Sequence, residues 1–150
     1  MKRLQLLLLL SIIACLSGCT SGKTMSGSND KLGFERDEKW ILTSVRQKEV
    51  VTSDDSEKLY IQFNPETNNF SGYAGCNNFF GDYRFKPSSD GECELTLDHI
   101  GATQMMCPDE AMKLESTILP LLNKTTNCKL MGYTLTLKQG NKILLVFEKL

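Results

Sequence analysis

Leu59-Tyr60-Ile61-Gln62-Phe63, followed by Asn64-Pro65-Glu66-Thr67-Asn68-Asn69 and then Phe70-Ser71-Gly72-Tyr73, decides how the chain is read. The first block is rich in aromatic and β-branched residues that suit a pleated, half-buried surface. The second is a run of turn formers, and the third resumes the alternation of apolar and polar side chains. Together they predict a β-hairpin.

Working outward, Trp40 to Val45 reads as a preceding strand, joined to Leu59 by a polar hairpin loop, and Phe79 to Phe85 as a following one. Glu94 to Asp98 and Tyr133 to Leu137 alternate polar and apolar positions, whereas Lys142 to Phe147 is more continuously apolar. These are half-buried or core strands. Gln139-Gly140-Asn141 predicts a tight turn making the last two antiparallel neighbours, with Asn127 to Met131 beside them. One helix is predicted from Pro108 to about Leu119. Proline suits a first helical position, Asp109 and Glu110 place negative charge at the positive helix end, and Ala111, Leu114, Ile118 and Leu121 or Leu122 follow the helical period. Pro120 lacks an amide donor, so the helix is expected to stop or kink before it. The expected fold is α+β and mainly antiparallel: a curled sheet or partial barrel of about eight strands with one packed helix.

At the other end, Met1-Lys2-Arg3 precedes an uncharged run from Leu4 to Ala14, with Leu16-Ser17-Gly18-Cys19 after it. A basic end, an apolar run and small residues before a cleavage point describe a secretory signal peptide, too short in its apolar part to span a bilayer as a helix. Leu16-Ser17-Gly18-Cys19 resembles the lipobox of bacterial lipoproteins, which implies lipidation at Cys19 and cleavage just before it. Two or three acyl chains hold a protein far more firmly than one. The expected organisation is a signal peptide at 1–18, a flexible polar tether at 19–38 and one domain at 39–150. Thr20, in place of an aspartate after the lipidated cysteine, favours the periplasmic face of the outer membrane by resemblance to enterobacterial sorting.

Composition narrows the function further. There are 17 basic and 18 acidic residues, and Lys2 and Arg3 leave with the signal, so the mature part is mildly acidic and no nucleic-acid partner is expected. Apart from Cys15 and Cys19, four cysteines remain: Cys76, Cys93, Cys107 and Cys128. An even number in an exported domain predicts two disulfides, with three pairings open. A zinc site is the weaker reading, because no close Cys-x-x-Cys pair exists and His99 is the chain's one histidine.

Several residues invite sharper readings. The Gly72 to Asn78 loop has the glycines and amides of a ligand loop, but the same residues suit positive φ and local backbone hydrogen bonds. Cys76 with His99 as base would be a thiol nucleophile, against which stands oxidation outside the cytoplasm. Met105, Met106, Cys107 and His99 would suit copper(I), against which stands the use of methionine to fill core gaps. No triad or placed carboxylate pair supports a hydrolase, so neither an enzyme nor a cofactor is expected.

The ordered landmarks resemble the META/HslJ family: Trp40-Ile41-Leu42, then Phe70-Ser71-Gly72-Tyr73-Ala74-Gly75-Cys76-Asn77-Asn78 through Tyr83, then Ala102-Thr103-Gln104-Met105-Met106-Cys107-Pro108, with Glu115 in the helix and Phe147 near the end. Where many members carry arginine, this chain has Asn78 and Gln104. The resemblance implies a compact β-rich domain with one helix, in exported or membrane-anchored proteins loosely associated with envelope stress, antibiotic tolerance or secretion, and no established reaction. It also implies a Cys76–Cys107 bridge joining its two motifs, with Cys93 and Cys128 as the second pair. That bridge would set Tyr73 to Asn78 beside Thr103 to Met106, a patch in which Tyr73, Asn77, Asn78 and Gln104 would meet a partner. The expected function is therefore a non-enzymatic envelope lipoprotein, bound to the membrane by its lipid anchor and to an envelope protein by this patch. The alternatives are a carrier of an apolar ligand or lipid in a small β pocket and a copper binder.

Overall fold

The structure is a computed structural model and describes residues 33–35, 38–50 and 58–150. The expected signal peptide, Cys19, and residues up to 32 and 36–37 of the expected tether lie outside the described residues, as do residues 51–57 of the expected loop between the first two predicted strands.

Nine strands and one helix follow in the order β1 (Lys39–Val45), β2 (Lys48–Glu49), β3 (Tyr60–Asn64), β4 (Asn69–Tyr73), β5 (Asn78–Pro87), β6 (Glu92–Ala102), α1 (Asp109–Asn123), β7 (Asn127–Met131), β8 (Thr134–Gln139) and β9 (Lys142–Lys149). Each strand from β3 onward pairs antiparallel with its successor. β1 pairs with both β3 and β9, so eight strands close on themselves and β2 stands as an extra strand beside β1. The α+β, mainly antiparallel expectation holds, and the barrel is closed rather than partial. Closure removes the exposed edges at which a sheet otherwise recruits other chains.

The hairpin that opened the sequence argument forms with Phe63 opposite Phe70 and Asn64 opposite Asn69, and Asn68 takes a positive φ of 56° in the turn. Alternation then sorts each strand. Ile61, Phe63, Phe70, Leu95, Leu97, Leu135, Leu137 and Leu145 point inward and are buried, so side chains fill the barrel as they do in other small barrels. Phe80, Asp82 and Arg84 of β5 point outward. Between Phe80 and Asp82 the β5–β6 register slips, so that Gly81 faces a bulge at His99, whose φ is +52°. Gly81 cannot carry a side chain there, since a Cβ would lie 2.6 Å from the Asp98 carbonyl oxygen and 2.7 Å from the Phe70 ring.

Three boundaries differ from the sequence reading. First, Arg46 and Gln47 form a two-residue turn, both at positive φ, that brings Lys48 opposite Val45; part of the expected loop is thus a strand. Arginine and glutamine are not residues that announce such a turn. Second, α1 runs through Pro120 to Asn123 instead of ending before it, with Pro108 just outside its start. Proline removes one helix hydrogen bond, but Leu121 and Leu122 beyond it are buried, and Lys124 N–H and Thr125 Oγ1 close the last turn on Pro120 and Leu121 carbonyls. Apolar burial of about 1.5–3 kcal/mol per leucine offsets the penalty. α1 packs on β6 and β9, which are not neighbours in the sheet, and so lies across one end of the barrel.

Third, residues before Lys39 pack on the barrel. Phe34, expected in the flexible tether, is only 7% exposed and stacks on Phe63 with ring centroids 3.7 Å apart. Glu38 forms an ion pair with Lys149. A single aromatic in a polar stretch has no periodicity to reveal it, although its burial is favourable by the apolar area it removes from water.

Candidate functional site

Between β4 and β5 the chain turns through Ala74 to Asn77, and Gly75 adopts φ +105°, a conformation that disfavours a side chain although space is available. The Tyr73 hydroxyl donates to the Gly75 carbonyl at 2.8 Å, and Ala74 N–H donates to the Asn77 carbonyl at 3.2 Å. Cys76 is joined to Cys107 by a disulfide that spans 31 residues of sequence. A second disulfide joins Cys93 to Cys128, directly opposite each other on β6 and β7.

Asn77 organises this corner. Its Oδ1 accepts from Met105 N–H at 2.7 Å and from Thr103 Oγ1 at 2.8 Å. Its backbone N–H donates to Glu115 Oε2 at 2.7 Å and its Nδ2 to Glu115 Oε1 at 3.1 Å. Thr103 N–H in turn donates to the Asn78 carbonyl at 3.0 Å. One amide thus binds the β4–β5 turn, the segment after β6 and the helix, which is the work of a structural residue in a low-dielectric site.

The structure therefore brings the Tyr73 to Asn78 loop against the Thr103 to Met106 segment, and it corrects the role expected for Asn77. With 4% exposure and its hydrogen bonds used internally, Asn77 offers a partner nothing. Tyr73 is half-buried and its hydroxyl is committed to the loop, whereas Asn78 and Gln104 are exposed. The methionines are corrected too: instead of filling core gaps, Met105 is 56% and Met106 91% exposed. Phe80, also exposed, lies on the same outer face as Asn78, its ring over Gly101. Periodicity gave no warning of this, because residues 103–108 belong to no regular element.

Both thiol readings lose their thiol. Cys76 and Cys107 are bonded to each other, so neither supplies the thiolate that a nucleophile or a copper(I) set requires. His99 lies on the outer face, its Nδ1 3.0 Å from Asp82 Oδ2, and no group of three or more His, Cys, Asp or Glu side chains suited to a metal occurs among the described residues.

Several charges elsewhere on the barrel are paired. Glu92 on β6 meets Lys138 on β8 at 2.8 Å and Lys129 on β7 at 3.7 Å; the Lys138 hydrogen bond, aided by the charges of both lysines, holds its carboxyl below the ordinary range. Lys149 is held above its ordinary range by its hydrogen bond to Glu38, and burial raises the Tyr83 phenol.

A closed antiparallel barrel capped by one helix, with a Gly-Cys-Asn corner locked to a helix glutamate, defines the class of domain to which the chain belongs. The chain belongs to the META domain family, whose model matches residues 33–150 and so includes Phe34. Among solved structures, an NMR structure of a protein from Burkholderia xenovorans is similar at 22% identity and a TM-score of 0.60, covering 77% of this chain and 83% of that one; at this identity the likeness concerns the fold alone. A second protein, also solved by NMR, is 31% identical with a TM-score of 0.54, covering 74% of this chain and 87% of that one. No curated protein matches the chain.

Proposed function

We propose that this protein is a non-enzymatic cell-envelope lipoprotein, lipidated at Cys19 and held at the periplasmic face of the outer membrane, whose META domain binds another envelope protein in stress response or secretion. The observation that carries the binding role is the exposure of Met105 and Met106 on a segment whose backbone is fixed by Asn77 and by the Cys76–Cys107 disulfide. A preordered backbone spares the cost of ordering the segment on binding, and methionine is enriched in protein interfaces relative to the rest of the surface. Asn78, Gln104 and Phe80 supply a polar and aromatic surround.

The test is site-specific photo-crosslinking in intact cells with the crosslinker at Gln104 and, as a control, at exposed Lys142, the first residue of β9. A discrete protein adduct is expected from position 104, none from 142, and loss of the adduct in Met106→Ser at unchanged melting temperature. Equal adducts from both positions, or none from 104, would remove the proposed surface.

A further inference from the structure

We propose that the outer face of β3, β4 and β5 carries a groove for a neutral saccharide, which packs a sugar ring on Phe80 and pairs its hydroxyls with Asn64 and Asn69. The groove shares only Phe80 with the proposed protein-binding surface, and the inference does not depend on Met105 and Met106 binding a protein.

The groove has a volume of about 430 Å³, within the usual range for small-molecule sites, and its lining includes Gln62, Asn64, Thr67, Asn69, Ser71 and Phe80. Strand register explains the grouping. Gln62, Ser71 and Phe80 stand opposite one another across β3, β4 and β5, and Asn64, Asn69 and Asp82 form the next row on the same face, two residues along. No lining residue carries a charge, and the Asp82 carboxylate next to Asn69 disfavours an anion. The lining thus suits a neutral molecule rich in hydrogen-bonding groups.

Two of the amides are already oriented. Asn64 Oδ1 accepts from Glu66 N–H at 3.0 Å, which leaves its Nδ2 to donate to a ligand. Asn69 Nδ2 donates to Asp82 Oδ1, and Asp82 Oδ2 is in turn 3.0 Å from His99 Nδ1, so Asn69 Oδ1 is left to accept. A donor and an acceptor on directly opposed residues match adjacent sugar hydroxyls, each of which both donates and accepts. Phe80 supplies the apolar part. It is 55% exposed, and one edge of its ring rests against Gly101, where a Cβ would come within 2.9 Å of it. The C–H groups on one side of a pyranose ring are attracted to the electron-rich face of an aromatic ring. A peptide is the poorer match, because β3, β4 and β5 are each paired on both sides and offer no edge for an added strand.

The experiment titrates purified full-length protein with cellotriose, whose β-linked rings have flat C–H faces, and with sorbitol, which has similar hydroxyls and no ring. NMR follows the side-chain amides of Asn64 and Asn69 and the ring of Phe80. Cellotriose is expected to move all three saturably and sorbitol to move none. Phe80→Ala should weaken cellotriose binding about tenfold. Asn64→Ser, which keeps an acceptor for Glu66 N–H and removes the amide donor, should weaken it about fivefold. Should Phe80→Ala not fold, Phe80→Leu removes the ring while keeping apolar bulk and gives the same readout. Met106→Ser should bind cellotriose like the parent, so failure of the protein-binding surface leaves this result standing. No saturable cellotriose binding, equal responses to sorbitol, or a Phe80 variant that binds like the parent would each overturn the proposal. Shifts of the same residues on raising the protein concentration without sugar would overturn it too, by giving the groove to a second copy of the chain.

Discussion

Asn77 and Glu115 meet across 38 residues of sequence, the backbone and side-chain amides of the first both donating to the carboxylate of the second, at 2.7 and 3.1 Å. The pair makes the helix and the β4–β5 turn one unit. Asn77→Ala should cost about 3 kcal/mol, because it removes several internal hydrogen bonds and leaves the Met105 N–H and one carboxylate oxygen without partners. Asn77→Asp separates the electrostatic part. It keeps an acceptor for Met105 and Thr103 but sets a second carboxylate against Glu115, so one of the two is pushed to higher pKa. Its melting temperature, relative to the parent, should be lowest near neutrality and recover as the pH falls and that carboxyl protonates. A deficit that does not change with pH would show that shape rather than charge governs the pair.

The two disulfides should separate stability from local order. Each closes a loop of similar length, 31 and 35 residues of separation, so the chain-entropy model gives about 3–4 kcal/mol for either. Their surroundings differ: Cys93 and Cys128 are also held opposite each other by strand pairing, whereas residues 103–108 have no strand partner. Replacing both Cys76 and Cys107 by alanine should therefore accelerate hydrogen exchange at the Met105 amide under native conditions, beyond the change caused by replacing Cys93 and Cys128. Equal acceleration in the two double variants would mean that Asn77 alone fixes the segment.

Residues that decide structure locally were legible in the sequence; those that act at a distance were not. The β3–β4 and β8–β9 turns announce themselves through Asn, Pro and Gly, whose backbone preferences fix the chain reversal. The Arg46-Gln47 turn does not, since its positive φ values are imposed by the pairing of β2 with β1. Pro120 reads locally as a stop, but buried Leu121 and Leu122 overrule it. The site shows the same division. The Gly-Cys-Asn motif marks where a corner would be, while whether Asn77 faces solvent depends on Glu115, and whether the methionines are buried depends on how residues 103–108 leave the barrel. Phe34 was missed because its partners, Phe63, Tyr83 and Phe85, lie far along the chain.

On the proposed lipidation of Cys19, Cys19→Ala should release the protein from the membrane fraction, because the thiol would be the only attachment atom for the diacylglycerol. Acyl chains contribute about 0.8 kcal/mol per buried methylene, and no helix among the described residues is long and apolar enough to cross a bilayer. Detergent-phase partitioning of the parent against the variant checks this. Unchanged partitioning would remove the lipid anchor from the proposed function.

Glu92 should give the barrel a measurable acid sensitivity. Its carboxylate bridges Lys138 and Lys129, and the Lys138 hydrogen bond holds its pKa below the ordinary range. A carboxyl with a depressed folded-state pKa binds its proton more readily in the unfolded chain. Its contribution is therefore complete above the unfolded-state pKa and is lost as the pH falls through the folded value. Glu92→Gln keeps the shape but cannot titrate, so the parent should lose melting temperature relative to the variant as the pH falls through and below the ordinary glutamate range. The effect should be modest because the carboxylate is partly exposed, and it should shrink in high salt, which screens the lysine charges. Lys138 is the better-shielded partner, its side chain 16% exposed against 41% for Lys129. Lys138→Met should accordingly flatten the pH dependence more than Lys129→Met; the reverse order would place the acid sensitivity on a different pair.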